Sequence, residues 1–230
     1  MRAPLSIIIP TLNAQAALPG ALAALMEGVG AGLVRELVVS DGGSGDATVQ
    51  IARDAGALVV SGAPGRGGQL RRGAAAANGD WLLFVHADSW LVPGWGALVQ
   101  GHMEAEPANA AVFRLAFRAP GLGARVVAGW ANLRTRALGL PYGDQGLLIP
   151  RALYERIGGF ADMPLMEDVA LIRALPRRAR LLDGVIETGA DKYLEQGWMR
   201  RGGRNMLLLA RYFLGADPIH LAHRYDRRAP

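Results

Sequence analysis

Three short apolar runs in the first part of the chain each stop abruptly at polar side chains. Leu5-Ser-Ile-Ile-Ile9 closes on Pro10-Thr-Leu-Asn13, Glu36-Leu-Val-Val-Ser40 runs into Asp41-Gly-Gly-Ser-Gly-Asp46, and Trp81-Leu-Leu-Phe-Val85 ends in His86, Asp88 and Ser89. Continuous apolar runs of this length, rich in β-branched residues, predict parallel strands buried on both faces. Between them the pattern turns helical. Asn13 is placed to cap a helix over 14–26, Asp46 one over 47–55, and the turn Gly65-Arg-Gly-Gly68 leads into a helix over 69–77. Strands and helices alternating through short connections predict an α/β fold, a mixed, mostly parallel central sheet flanked by helices with right-handed crossovers.

The second half is less regular. Helices are expected over 95–103, 124–138 and 151–157, the last stopped by Gly158-Gly159, and another starts at Met166. Strands are expected over 110–117, with Phe113, Leu115 and Phe117 on one face, and over 147–149. The end reads as an apolar or amphipathic helix over 205–214, closed by Gly215 and Pro218. No internal repeat or low-complexity linker interrupts this order, so 1–230 is read as a single domain.

Composition narrows the chemistry. Of 25 basic residues only Lys192 is lysine, and the net charge is +5. Without a Gly-Lys-Ser/Thr sequence there is no P-loop, and Gly28-Val-Gly30-Ala-Gly32 neither follows a strand nor carries the third glycine of a dinucleotide fingerprint. No serine sits in a nucleophile elbow. The absence of cysteine excludes disulfides and thiolate metal sites. No apolar run approaches the roughly 20 residues of a membrane span, and Pro4 and Pro10 break the amino-terminal stretch, so a cytoplasmic protein without a signal peptide is expected. Arginines crowd the last quarter, which has two readings: a solvated face, or a surface for an anionic partner such as a membrane. No aromatic-interleaved basic motif points to nucleic acid.

Ligands of open α/β sheets gather outside the carboxyl ends of the strands, where Asp41 and Asp88 fall. Read together, Ile8-Ile-Pro-Thr-Leu-Asn13, the segment from Glu36 to Asp46, Gly79-Asp-Trp-Leu-Leu-Phe-Val-His-Ala-Asp88 and Met166-Glu-Asp168 resemble the family 2 inverting glycosyltransferases of the GT-A fold. More narrowly, Gly65-Arg-Gly-Gly-Gln-Leu-Arg-Arg-Gly73, Pro141-Tyr-Gly-Asp-Gln-Gly146, Gly158-Gly-Phe160 and Pro164-Leu-Met-Glu-Asp168 resemble a bacterial subgroup labelled arsenosugar-biosynthesis glycosyltransferases. The resemblance implies a nucleotide-binding half over 1–91 and an acceptor-binding half over 92–230. It implies a nucleotide-diphosphate sugar as donor, UDP- or GDP-linked, and a small-molecule or lipid-linked acceptor.

The same resemblance assigns roles. Asp168 is the expected catalytic base, with Glu167 beside it; adjacent carboxylates at a helix start also complement the macrodipole. Asp88 is the expected ligand of a divalent Mg²⁺ or Mn²⁺ on the donor diphosphate. His86 stands where the family's D-x-D motif has its first aspartate, as a second ligand or as a packed histidine. Asp41 is expected to accept from the nucleobase or to form a turn, with Thr11 and Asn13 in the same pocket. Arg66, Gln69 and Arg72 are candidate diphosphate contacts at a helix start, and Tyr142, Asp144 and Gln145 candidate contacts to donor sugar or acceptor. His220 and His223 are candidate late metal ligands. The helix over 205–214 packs on the core, buries itself in a homodimer, or lies on a membrane. Two rivals remain: a sugar-phosphate nucleotidyltransferase, which needs a basic glycine-rich loop where Pro10-Thr-Leu-Asn13 stands, and a non-catalytic nucleotide-sugar or membrane-surface binder.

Overall fold

The computed structural model describes residues 3–226. Strands β1 (Leu5–Thr11), β2 (Val34–Asp41), β3 (Leu58–Ser61) and β4 (Trp81–Phe84) pair in parallel in the order β3-β2-β1-β4. The sheet continues through β7 (Leu147–Pro150), β6 (Ala111–Phe117), β8 (Arg180–Thr188) and β5 (Ser89–Leu91). There β4–β7, β7–β6 and β8–β5 are antiparallel and only β6–β8 is parallel. The mixed, mostly parallel α/β sheet flanked by helices is the one the sequence implied.

The period-two geometry of β1 explains why its sequence shows no alternation. Ile7 and Ile9 point into one core and Ile8 into another, because helices cover both faces. On the first face Leu18 and Leu25 of α1 (Leu18–Gly30), Ala52 of α2 (Thr48–Asp54) and Trp95 and Val99 of α4 (Trp95–Ala105) pack with Val39, Leu83 and Phe113. On the second, α3 (Arg66–Ala76), α6 (Arg151–Arg156) and α7 (Glu167–Ala174) bring Leu70, Leu153 and Leu171 against Leu82, Phe84 and Ile149. A separate layer, α5 (Leu122–Leu138), α8 (Asp191–Gln196), α9 (Trp198–Phe213) and α10 (Pro218–Asp226), lies beyond the second half of the sheet. No helix among the described residues is long and apolar enough to cross a membrane.

Several expectations are corrected. Asn13 does not cap a helix at 14: it sits in the left-handed region at φ 50°, its Oδ1 accepts from Gly45 N–H at 2.9 Å, and α1 begins at Leu18. Asp46 does act at the next helix, its Oδ1 accepting from Thr48 N–H at 3.0 Å. Helix α3 starts at Arg66 and includes Gly67 and Gly68, where glycines had read as loop. Strands β3, β5 and β8 were not foreseen; β8 hides its alternation behind Asp183 and Gly184, though Leu182, Gly184, Ile186 and Thr188 all face inward. A side chain at 184 would meet Leu98 and Phe113. Helix α9 begins at Trp198, seven residues earlier than expected. Phe113, Leu115 and Phe117 are buried as expected, but so is Val112 on the opposite face.

Candidate functional site

Four residues carry the chain from β4, inside the sheet, to β5 at its edge, and this crossing segment bears His86 and Asp88 above the carboxyl end of β4. Arg118 fixes it. Its Nη1 donates to the carbonyls of Asp88 and Glu187, both at 2.8 Å, while the guanidinium lies 3.9 Å over the Trp90 ring. The Asp88 carboxylate itself makes no hydrogen bond to any described residue and faces a cavity of about 250 Å³.

Asp168, in the first turn of α7, faces the same cavity. Its Oδ2 accepts from Gly143 N–H at 2.7 Å and its Oδ1 from Val169 N–H at 2.7 Å. Two backbone donors thus fix the carboxylate while each oxygen keeps a second lone pair. Met166, in the left-handed region at φ 67°, turns the chain into the helix at this point. Glu167 is fully buried with Oε1 3.7 Å from Arg66 Nε; burial and the neighbouring Asp168 charge push its carboxyl well above the ordinary range.

Asp144 completes the acidic wall. It lies in a short 3₁₀ turn, Gly143–Gln145, with Oδ1 buried and unpartnered, and burial pushes its carboxyl to about 6, opposed by Arg134 and helped by Asp168 and Asp88. Burial holds the His86 imidazole down to about 4, and Arg66 adds to the effect, so the ring is neutral at physiological pH. The ring packs against Gly143, where a Cβ would stand 3.0 Å from Nε2. Tyr142 stacks under Arg134, 3.5 Å from ring centroid to guanidinium carbon.

The structure therefore gathers Arg66, His86, Asp88, Tyr142, Asp144, Glu167 and Asp168 in one cavity. It does not bring Thr11, Asn13, Asp41, Gln69, Arg72 or Gln145 to that wall. Asp41, nearly inaccessible at 2 % exposure, is held by its own turn: Oδ1 accepts from Thr11 Oγ1 and Ser44 Oγ, and Oδ2 from the N–H groups of Gly43 and Ser44. Although burial pulls the other way, these donors hold its carboxyl below the usual range. All four lone pairs are engaged within this turn, the turn-forming role that the sequence offered for Asp41 beside the nucleobase one. Gln69 is likewise spent: Nε2 donates to the carbonyls of Thr11 and Ser40, and Oε1 accepts from Gly65 N–H. Arg72 donates to the carbonyls of Asp41 and Ala63. These residues form a second cluster at the carboxyl ends of β1 and β2, joined to the cavity through α3, whose Arg66 reaches Glu167. Gln145 is a core residue, with Oε1 accepting from Thr135 Oγ1 and Nε2 donating to the Phe113 carbonyl.

The far wall was not foreseen. Lys192, Tyr193, Arg201, Asn205 and Tyr225 line it from α8, α9 and α10. Arg201 is buried, donating to Gln196 Oε1 at 2.9 Å and to Tyr225 Oη at 2.6 Å. The one signal available was that Lys192 is the only lysine. His220 stands outside the cavity wall, 80 % exposed and 4.0 Å from Asp217, and the His223 side chain and the arginines at 224, 227 and 228 lie outside the described residues.

No three acidic or histidine side chains among the described residues surround a point that could hold a metal. The chemistry of the residues present fits a divalent cation for which the unpartnered Asp88 carboxylate and the neutral His86 imidazole would be the protein's ligands.

Fold and site together define an α/β protein with a cavity of clustered carboxylates and arginines at the carboxyl edge of its sheet. The chain belongs to glycosyl transferase family 2, whose model matches residues 6–154. Glucosyl-3-phosphoglycerate synthase of Mycobacterium tuberculosis is 37% identical over 93 residues, covering 36% of this chain and 28% of that protein, so the match spans less than a third of the relative. The structure of that synthase with Mn²⁺, UDP and phosphoglyceric acid superposes with a TM-score of 0.59 at 25% identity, over 81% of this chain and 69% of that one. TarS 1–349 of S. aureus superposes with a TM-score of 0.62 at 17% identity, over 95% of this chain and 68% of that one, a likeness of fold. The fold is the GT-A fold of glycosyltransferases.

Proposed function

We propose that this protein transfers a single sugar, with inversion, from a UDP- or GDP-linked donor to a small-molecule or lipid-linked acceptor. The observation that carries the proposal is that Asp88 and Asp168, from distant parts of the chain, face one cavity in a member of glycosyl transferase family 2. Two related structures contain UDP with Mn²⁺ or UDP-GlcNAc, which supports a uridine donor.

In this reading Asp168 takes the proton of the acceptor hydroxyl as that oxygen attacks the anomeric carbon from the face opposite the diphosphate. The bonds from Gly143 and Val169 aim the carboxylate, so it need not reorganise during the reaction. Asp88 and His86 would hold the divalent cation, Mg²⁺ or Mn²⁺, which when bound would neutralise the diphosphate and make it a better leaving group. Arg66, which pairs with Glu167 on the cavity wall, supplies a positive charge for the same phosphates, and Tyr142 and Asp144 contact the sugar or acceptor hydroxyls. Thr11, Asn13 and Asp41 act on the nucleobase through the turn that Asp41 holds, with Gln69 and Arg72 bracing it.

The stereochemistry is open to direct reading through hydrolysis of the donor, in which water takes the place of the acceptor. Proton NMR at early times with UDP-glucose, or whichever α-linked donor is hydrolysed, should show the β-anomer of the free sugar appearing first. Release of the α-anomer first would overturn inversion.

A further inference from the structure

Helices α5 and α9 lie side by side: a Cβ at Gly202 of α9 would stand 3.7 Å from Val127 of α5, and one at Gly123 of α5 would meet Trp198 of α9. Each buries one face and leaves the other bare. On α5, Val126, Trp130 and Leu133 are exposed; on α9, Met199, Met206 and Leu207 are exposed. At 100° per residue Val126 and Trp130 fall next to the α5 seam, and Met199 and Met206 next to the α9 seam, so the two bare strips join into one apolar surface. Met199 is 73 % exposed and Leu214, at the end of α9, 87 %. Isolated exposed apolar residues are ordinary, but a continuous strip along two helices marks an interaction surface.

The charges on this surface identify what covers it. Neither α5 nor α9 contains an aspartate or glutamate, whereas Arg125, Arg136 and Arg200 are exposed on them and form no ion pair among the described residues. The nearest acids in sequence to α9, Glu195 and Asp217, lie off its two ends. Two copies meeting face to face across a two-fold axis would crowd these arginines together with no carboxylate on either helix to pair them. An anionic lipid leaflet supplies both needs, hydrocarbon for the strip and negative headgroups for its arginines, and tryptophan suits the interface between them.

We propose that the joined outer faces of α5 and α9 dock this protein on an anionic bilayer surface. The opposite face of α9 presents Arg201, Asn205 and Leu208 to the cavity, so docking holds the cavity about one helix diameter, ~10 Å, from the headgroups. The docking surface shares no residue with the sugar-transfer reading and does not depend on it.

Flotation of the full chain with vesicles tests this. It should float with vesicles containing about one third phosphatidylglycerol, and at least tenfold less with pure phosphatidylcholine. Combining Leu133→Glu and Leu207→Glu, both at exposed positions, should lower the bound fraction at least tenfold with an unchanged melting curve. Failure to float with either vesicle, or equal flotation of wild type and double variant, would overturn the proposal. So would a wild-type dimer in gel filtration that the double variant converts to monomer, since the strip would then be covered by a second copy. The readout is binding without turnover, so none of these outcomes bears on sugar transfer.

Discussion

Asp168→Asn is expected to lower sugar transfer about 10²–10⁴-fold, the usual contribution of a positioned general base. The substitution keeps the shape of the side chain and one carbonyl oxygen, which can still accept from either Gly143 or Val169. The other backbone N–H then faces an amide NH₂, a loss of about 1 kcal/mol, which lowers the melting temperature by only a few degrees. Activity and stability therefore separate: transfer, followed as release of nucleoside diphosphate, should nearly vanish in a protein that remains folded. Wild-type rates in Asp168→Asn would remove Asp168 from the reaction.

Gly67→Ala should unfold the protein more readily, by about 2–4 kcal/mol in urea titration. Within a helix, alanine normally stabilises relative to glycine by roughly 0.5–1 kcal/mol, so propensity alone gives the opposite sign. Contact decides. The added methyl would lie 2.2 Å from the Ala161 carbonyl oxygen and 2.9 Å from that of Met163, and these backbone atoms belong to a turn closed by Met163 N–H donating to Ala161 O at 3.0 Å. Relief requires α3 to move away from the 161–163 loop, disturbing Arg66 as well. Gly203→Ala in α9 is the control: nothing lies within 4 Å of the new methyl, and it should stabilise by about 0.5–1 kcal/mol. A neutral Gly67→Ala would show that α3 does not pack as closely as described.

These cases also mark what could be read in the chain. β1, β2 and β4 were legible because both faces of each are buried, leaving runs that few other structures tolerate. The ends of those runs placed Asp88 at the cavity, since strand ends and ligand sites coincide in this architecture. β8 was illegible because its inward face includes Gly184, chosen by the closeness of Leu98 and Phe113, a tertiary demand with no local trace. Asn13 was misread as a cap because its Oδ1 is claimed by Gly45, 32 residues away. Gln69 and Gln145 have the composition of ligand contacts, yet their amides satisfy buried backbone groups, and only the fold shows which carbonyls lie beside them. The far wall at Lys192, Arg201 and Tyr225 joins three helices whose approach no spacing encodes.

The most direct test is nucleotide binding at the cavity. Wild type should melt several degrees higher with UDP or GDP plus Mn²⁺ than with either component alone, because a ligand that binds only the folded state raises its stability. Asp88→Ala, which removes a half-buried carboxylate with no hydrogen bond to lose, should melt like wild type without ligand and show almost none of that rise. Equal rises in the two proteins, or none with any nucleoside diphosphate, would contradict a sugar-diphosphate site at Asp88.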